Sequence, residues 1–250
     1  MKKRLALAIT VFAAGMVAFP AAADFITFSG SGPGDGSNGL AAEATFTITG
    51  NTLTVLLTNT STDFSEIPSE SLTGVYFDLL NGNSLTGVSA IVAAGSTVVN
   101  GVAGPGGDVG GEFAYLANIS SGFNGASYGI SSSGMDDVFG PGDRFNNNDL
   151  DGPASPNGMN YGLISAAGLG PNANAPMLSE PFIQNAVLFS FTFSGALSTS
   201  DIGNVNFQYG TSQSQPNITT SVVPEPATIS LIALGLAGLA IRRNRRRIAA

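Results

Sequence analysis

The chain has no cysteine, histidine or tryptophan, and these absences exclude several kinds of site. Without cysteine, no disulfide can stabilise the fold. Ser-His-Asp and Cys-His nucleophilic sites and the common zinc sites cannot be assembled without histidine or cysteine. Both lysines, Lys2 and Lys3, lie at the N-terminus, so the rest of the chain offers neither a lysine Schiff base nor the lysine of a phosphate loop. Carboxylates, hydroxyls and arginine are the catalytic groups that remain.

Positive charge is nearly absent between the two ends of the chain. Eight of the nine basic residues lie at residues 2–4 and 242–247, which leaves Arg144 alone in between. Of the 17 acidic residues, all but Glu225 lie in residues 24–223, so this segment has 16 acidic groups against one basic group, a net charge of −15. Nucleic acid and anionic lipid surfaces are excluded as partners of this segment, because their binding depends on lysine and arginine.

The N-terminus has the pattern of a secretory signal peptide. Three basic residues at positions 2–4 precede an apolar run over residues 5–19, and an alanine triplet follows. This order is typical of a segment that directs export and is then removed by signal peptidase. We predict a signal peptide over residues 1–23. The predicted cleavage site consists of Ala21, Ala23 and Asp24.

The C-terminal tail contains a Pro-Glu-Pro triplet, an apolar run and a basic cluster, in that order. The triplet is Pro224, Glu225 and Pro226, the apolar run covers residues 227–241, and five arginines lie within residues 242–247. Arginines on one side of an apolar segment hold that side in the cytoplasm. The run predicts a transmembrane helix of about 22 Å, which is shorter than a hydrocarbon core of about 30 Å. Local thinning of the bilayer or snorkelling of the arginine side chains can cover this mismatch.

This tail, residues 224–250, resembles the PEP-CTERM sorting signal of Gram-negative bacteria. The resemblance implies that the tail holds an exported precursor in the inner membrane until an exosortase cuts near Pro224–Pro226. It also implies a final location at the cell surface or outside the cell, and an association with extracellular polysaccharide. An ordinary C-terminal membrane anchor is the alternative interpretation of the same residues.

Residues 24–223 predict a single all-β domain, an antiparallel β-sandwich or jelly roll. Apolar residues alternate with threonines, as at Phe46 and Ile48, and the dipeptide Gly50-Asn51 is typical of a hairpin turn. No part of this segment has a sustained helical period. Strands are predicted at residues 44–49, 53–57, 72–80, 113–117, 187–193 and 205–209.

Two segments interrupt the strands and predict loops. Residues 100–111 are rich in glycine and predict a flexible loop, and residues 134–160 form a longer polar segment that contains Arg144. We expect Arg144 to have a structural role, bridging Asp136, Asp137 or Asp143. Residues 134–144, together with residues 157–164, resemble the XDD-type exosortase-dependent surface proteins, a resemblance that implies no known activity.

The most specific candidate site is a calcium-binding loop. Asn147, Asp149 and Asp151 place oxygen side chains at alternate positions before Gly152, as in the first half of a calcium-binding loop. Asp143 is close enough in sequence to contribute. The bidentate glutamate of that motif is missing, and a solvated turn rich in Asn and Asp is the alternative. The candidate calcium ligands are Asp143, Asn147, Asp149 and Asp151.

These observations predict an exported, non-enzymatic structural protein of the cell surface or biofilm matrix, associated with exopolysaccharide. One alternative is a carbohydrate- or calcium-binding module, which an exposed row of tyrosines would favour and which their burial would disfavour. The other is a carboxylate-only glycoside hydrolase, for which Asp136-Asp137 is the most visible acidic pair. The five tyrosines are Tyr76, Tyr115, Tyr128, Tyr161 and Tyr209.

Overall fold

The computed structural model describes residues 24–80, 82–120, 122–151 and 158–223, and these residues are mostly β-structure, 45% strand and 12% helical. All six predicted strands are present in it. The single α-helix of the described residues, α1, is Ala175–Ser179. The strands are β1 (Asp24–Pro33), β2 (Gly39–Thr49), β3 (Thr52–Asn59), β4 (Leu72–Leu79), β5 (Leu85–Val92), β6 (Thr97–Val99), β7 (Ala114–Ala117), β8 (Tyr128–Ser131), β9 (Leu163–Ile164), β10 (Phe182–Gln184), β11 (Ala186–Phe193), β12 (Ile202–Tyr209), β13 (Asn217–Thr219) and β14 (Ser221–Val223).

One sheet has six strands in the order β14-β1-β2-β3-β11-β5, all antiparallel. The predicted Gly50-Asn51 turn joins β2 to β3, so that Thr49 lies opposite Thr52. Strict alternation sends every second side chain to the interior: Phe46, Val55 and Phe189 are fully buried. The threonines between them lie on the opposite, solvent-facing side.

The second sheet has eight strands, with a main order of β13-β12-β4-β9-β10-β6 and with β8 on β4 and β7 on β8. Its pairs are antiparallel except β9 and β10, which run parallel. The predicted antiparallel sandwich is therefore present, with this one parallel pair of strands in its second sheet. The connection from β9 to β10 contains α1, and parallel neighbours need a crossover of this kind in place of a hairpin.

The two sheets pack face to face around one apolar core, which makes the domain a β-sandwich. Edge-to-face aromatic pairs cross between the layers: the ring centroids of Phe46 and Phe77 are 5.2 Å apart, and those of Phe113 and Phe189 are 5.0 Å apart. β1, β2 and β3 form a meander within one sheet, and β14 returns at the end of the domain to lie beside β1.

The two segments predicted as loops are packed against the sandwich. Val109 is fully buried at the end of the 100–111 segment, whose composition predicts a flexible loop. In the 134–160 segment, Met135, Phe139 and Phe145 are buried, and the ring of Phe145 contacts Phe189 and Phe191 of β11. Apolar anchors therefore hold both segments in place, although most of their residues are polar or glycine.

The predicted signal peptide, with Ala21 and Ala23, and the predicted tail from Pro224 onwards lie outside the described residues. Within residues 24–223, leaving aside the gaps named above, no helix has the length and apolarity needed to span a membrane.

Candidate functional site

Arg144 forms an ion pair with Asp149 inside the 134–160 segment. A short 3₁₀ turn at Pro141–Asp143 precedes it, and Phe145 donates its backbone N–H to the carbonyl oxygen of Phe113 at 3.0 Å. Both charged side chains are largely buried, with 15% and 12% of their surfaces exposed. The expected structural role of Arg144 thus fits its position, but its partner is Asp149 instead of Asp136, Asp137 or Asp143.

Glu112 lies next to this ion pair, and sequence reasoning missed it. Its side chain is 4% exposed, and its Oε1 accepts the backbone N–H of Leu150. Burial raises the pKa of Glu112 to about 7, the Leu150 N–H opposes that rise, and the charge and hydrogen bond of Asp151 add to it. Glu112 therefore lies beside Asp151 and binds its proton more tightly than an ordinary glutamate does.

The backbone at Gly111 explains how Glu112 reaches this position. A Cβ atom at Gly111 would lie 2.0 Å from the carbonyl oxygen of Asn148, closer than any side chain permits. Glycine here lets the chain around Asn148 pass directly over the 3₁₀ turn Gly110–Glu112. That close approach places the Leu150 N–H on the Glu112 carboxyl group.

Asn160 and Tyr161 complete the cluster from the far end of the same segment. The Asn160 amide donates to Oδ2 of Asp151, and the Tyr161 hydroxyl donates to the carbonyl oxygen of Val102 at 2.8 Å. Burial, followed by the charges of Glu112 and Asp151, raises the pKa of Tyr161 to about 12. An adjoining cavity of about 320 Å³ is lined by Asn100, Leu150, Asp151, Asn160, Tyr161 and Glu180.

The four predicted calcium ligands each bond a different group of the protein. Oδ2 of Asp143 accepts the N–H of Gly140 at 2.9 Å, and Oδ1 of Asn147 accepts the N–H of Asn148 at 2.9 Å. Asp149 pairs with Arg144, and Asp151 with Asn160 and Glu112. Across the described ranges, no three acidic, histidine or cysteine side chains form a group suited to a metal ion. Calcium binding at this loop stays a prediction, and Gly152 lies outside the described residues.

The Asp136-Asp137 pair lies in a left-handed turn and not in a strand. Met135, Asp136 and Asp137 have φ angles of 48°, 57° and 69°, an unusual run for three residues with side chains. The buried Met135 and two bonds hold the turn: Oδ2 of Asp136 accepts the Gln213 N–H at 2.9 Å and the Ser212 hydroxyl at 3.1 Å. Asp136 therefore anchors this segment to the loop after β12.

The tyrosines do not form an exposed row. Four of them, Tyr76, Tyr128, Tyr161 and Tyr209, are buried, and Tyr115 is partly buried against the ring of Phe191. The aromatic platform that would favour a carbohydrate-binding module is absent from the described residues.

The last described strand, β14, leads directly into the predicted sorting tail. β14 pairs with β1 at the edge of the six-stranded sheet, and Val223 lies opposite Thr27. Pro224 is the next residue and has no N–H to continue the ladder. Because β1 begins at Asp24, the predicted mature N-terminus and the last residues before the tail lie on neighbouring strands.

Comparison with known proteins bears on this tail alone. A family model described as the PEP-CTERM protein-sorting motif matches residues 222–247. The chain carries a PEP-CTERM sorting motif. The matched range contains the Pro-Glu-Pro triplet, the apolar run and the arginines, so the resemblance seen in the sequence is confirmed. No curated protein and no solved structure matches the chain.

The PEP-CTERM motif identifies an exosortase-dependent protein that is exported and sorted to the cell surface from a membrane-anchored precursor. In this precursor the motif starts at Val222, inside β14. The sandwich therefore ends where the sorting motif begins, without an intervening linker.

Proposed function

We propose that the sandwich is a non-catalytic structural component of the cell surface or extracellular matrix, associated with extracellular polysaccharide. The observation that carries this proposal is the PEP-CTERM motif, which begins within the last strand of a compact β-domain. Signal peptidase and an exosortase would process the two ends, and the inner membrane would hold the precursor transiently. The expected product is the sandwich, close to residues 24–223.

The arrangement of the acidic residues supports a structural role over a hydrolytic one. A retaining glycosidase needs two carboxyl groups about 5 Å apart, and an inverting one needs a wider separation. Glu112 is buried beside Asp151, which leaves its carboxyl group little access to a sugar substrate. Their other bonds, from Leu150 and Asn160, fix a loop. Asp136 likewise bonds the neighbouring loop.

The described residues offer neither an exposed basic group nor an exposed row of tyrosines for recognising a specific ligand. Arg144, the one cation of residues 24–223, is paired and largely buried. The tyrosines point into the core or pack on it. A matrix component that acts through its surface as a whole needs neither a deep aromatic cleft nor a basic patch.

Cell fractionation in the native host tests this proposal. Wild-type protein is expected on the cell surface and in the polysaccharide matrix, and a variant with Pro224, Glu225 and Pro226 all changed to alanine is expected to stay in the inner membrane. Ser221→Thr, three residues before the triplet, keeps the hydroxyl group, is the matched control and should behave as the wild type. A strain unable to make exopolysaccharide should release the protein into the medium. Equal retention with and without exopolysaccharide would rule out the association.

A further inference from the structure

The outer face of the six-stranded sheet presents hydroxyl groups in register across neighbouring strands. Thr49 of β2 lies opposite Thr52 of β3. Thr192 of β11 lies between Thr52 and Thr86 of β5, and is opposite both. Directly opposite residues share one face of a sheet, so these four side chains form a row. Thr49, Thr86 and Thr192 are exposed and Thr52 is partly exposed.

A second row of hydroxyls runs parallel to the first. Thr47, Thr54, Ser190 and Ser89 lie opposite one another on the same four strands. The rows are two residues apart along β2, β3 and β11, about 6.8 Å, and neighbouring strands are about 4.8 Å apart. On β5 the rows are three residues apart, at Thr86 and Ser89, because the pairing of β11 with β5 shifts register between them. Next to the second row, Thr27 and Thr45 form a hydroxyl–hydroxyl hydrogen bond of 2.9 Å. We define the hydroxyl face as Thr27, Thr45, Thr47, Thr49, Thr52, Thr54, Thr86, Ser89, Ser190 and Thr192.

An open groove extends this pattern at the β1–β14 edge. It has a volume of about 520 Å³, and six of its nine lining residues carry a hydroxyl group. Ser29 lies two residues beyond Thr27 along β1 and opposite Ser221 of β14. The hydroxyl side chains that line the groove are Ser29, Ser31, Thr60, Thr219, Thr220 and Ser221.

The chemistry of the hydroxyl face selects an uncharged partner. None of its ten side chains is charged, and the nearest carboxylate in the pairing pattern is Glu43, at the margin opposite Ser29 and Thr58. An anionic polymer would find no cation here and would be repelled by the net negative charge of the domain. A cationic polymer would be drawn to the carboxylates elsewhere.

Hydroxyl groups both donate and accept hydrogen bonds, as sugar hydroxyls do. The face also has an apolar strip, because Leu56, Leu188 and Ile91 lie opposite one another next to Thr45. Methyl and methylene groups of such a strip can cover the C–H surface of a sugar ring. The hydroxyl groups repeat both along the strands and across them, and a polysaccharide is likewise a chain of repeating units.

We propose that the hydroxyl face binds an extended, uncharged polysaccharide, with successive sugar rings crossing neighbouring strands. This inference rests on the proposed matrix association and names the face and the class of glycan. Each contact is a neutral hydrogen bond of modest strength, so binding depends on the number of rows that one chain crosses. Isolated short oligosaccharides should consequently bind far more weakly than the polymer.

The test uses mature protein recovered from the surface of cells that express the full chain. One variant carries Thr47→Val, Thr54→Val and Thr192→Val, which keep the β-branched shape and remove three hydroxyls. A second carries Thr→Ser at the same positions and keeps the hydroxyls. The control carries Thr97→Val in β6 and Thr211→Val, both off this face. The probes are cellulose and dextran as neutral glucans, and polygalacturonate as an anionic glycan.

The wild type should bind a neutral glucan, independently of salt, and should not bind polygalacturonate. The valine variant should lose affinity on the order of tenfold, while the serine variant and the control stay near wild type. Unchanged binding by the valine variant would overturn the assignment of the face, and so would a wild type that binds neither neutral glucan. If the wild type binds neither glucan but slows the growth of ice crystals, the hydroxyl face orders water molecules and does not bind polysaccharide. Surface location and tail processing of the same preparations report separately on the proposed function.

Discussion

Replacing Glu112 with glutamine should remove a pH dependence from the stability of the sandwich. The Glu112 carboxyl group is buried, accepts the Leu150 N–H and is hydrogen-bonded to Asp151. Glutamine has the shape of the protonated acid: its oxygen can accept the Leu150 N–H and its amide can donate to Asp151. Glu112→Gln therefore fixes permanently the state that the wild type holds only when it is protonated.

The magnitude follows from the pKa of Glu112, which rises from 4.5 to about 7 on folding, first because of burial and then because of Asp151. A raised pKa means that the folded protein binds the proton more tightly than the unfolded chain. The stabilisation is fully present below pH 4.5 and is lost as the pH rises through about 7. At about 1.4 kcal/mol per pKa unit, the loss is up to about 3 kcal/mol.

Urea unfolding of the mature protein at several pH values between 4 and 8 measures this effect. The wild type should lose free energy of unfolding across this range, and Glu112→Gln should remain nearly level and exceed the wild type at pH 8. Glu43→Gln, on the outer face of β2, is the control and should follow the wild-type slope. If the free energy of unfolding changes with pH equally in the wild type and in Glu112→Gln, folding does not raise the pKa of Glu112 and the explanation is refuted.

Three further predictions concern the same region. Arg144→Met should destabilise the domain by about 3 kcal/mol in thermal melts, because it leaves Asp149 largely buried without its ion pair; a change below 1 kcal/mol would mean that solvent screens the pair. Gly111→Ala should lower the free energy of unfolding by about 1–3 kcal/mol through the clash with Asn148, and an unchanged melt would contradict that close approach. Millimolar calcium should raise the melting temperature, because bound calcium adds about 2.7 kcal/mol to the free energy of unfolding at a hundredfold excess over its Kd. The double variant Asp149→Ala, Asp151→Ala should show a smaller rise. Identical melting curves in calcium and in chelator would rule out calcium binding at this loop.

Alternation along the chain was sufficient to predict the strands that have one buried and one solvent-facing side. β2, β3 and β11 are of this kind, and their threonines and phenylalanines mark the two faces. β9 has two residues and β10 has three, too short for any period to be visible. Their parallel pairing depends on tertiary packing of the α1 crossover, which no local pattern records.

The sequence was enough to predict which segment holds the candidate site, but it did not predict which side chains bond to one another there. The density of Asp and Asn, together with Arg144, indicated the 134–160 segment as the place where charges meet. Glu112 gave no signal, because it is a single acid after two glycines and its partner Leu150 is 38 residues away. The close approach at Gly111 decides that contact, and it exists only in the folded chain.

The C-terminus of the mature protein records whether the tail has been removed during sorting. Pro224 and Pro226 keep Glu225 out of helix and ladder pairing, so the segment just beyond β14 should be extended and accessible to a processing enzyme. Mass spectrometry of protein recovered from the surface of an exosortase-containing host should find a C-terminus within or next to Pro224–Pro226. Recovery of surface protein that still contains the arginines of residues 242–247 would contradict the account.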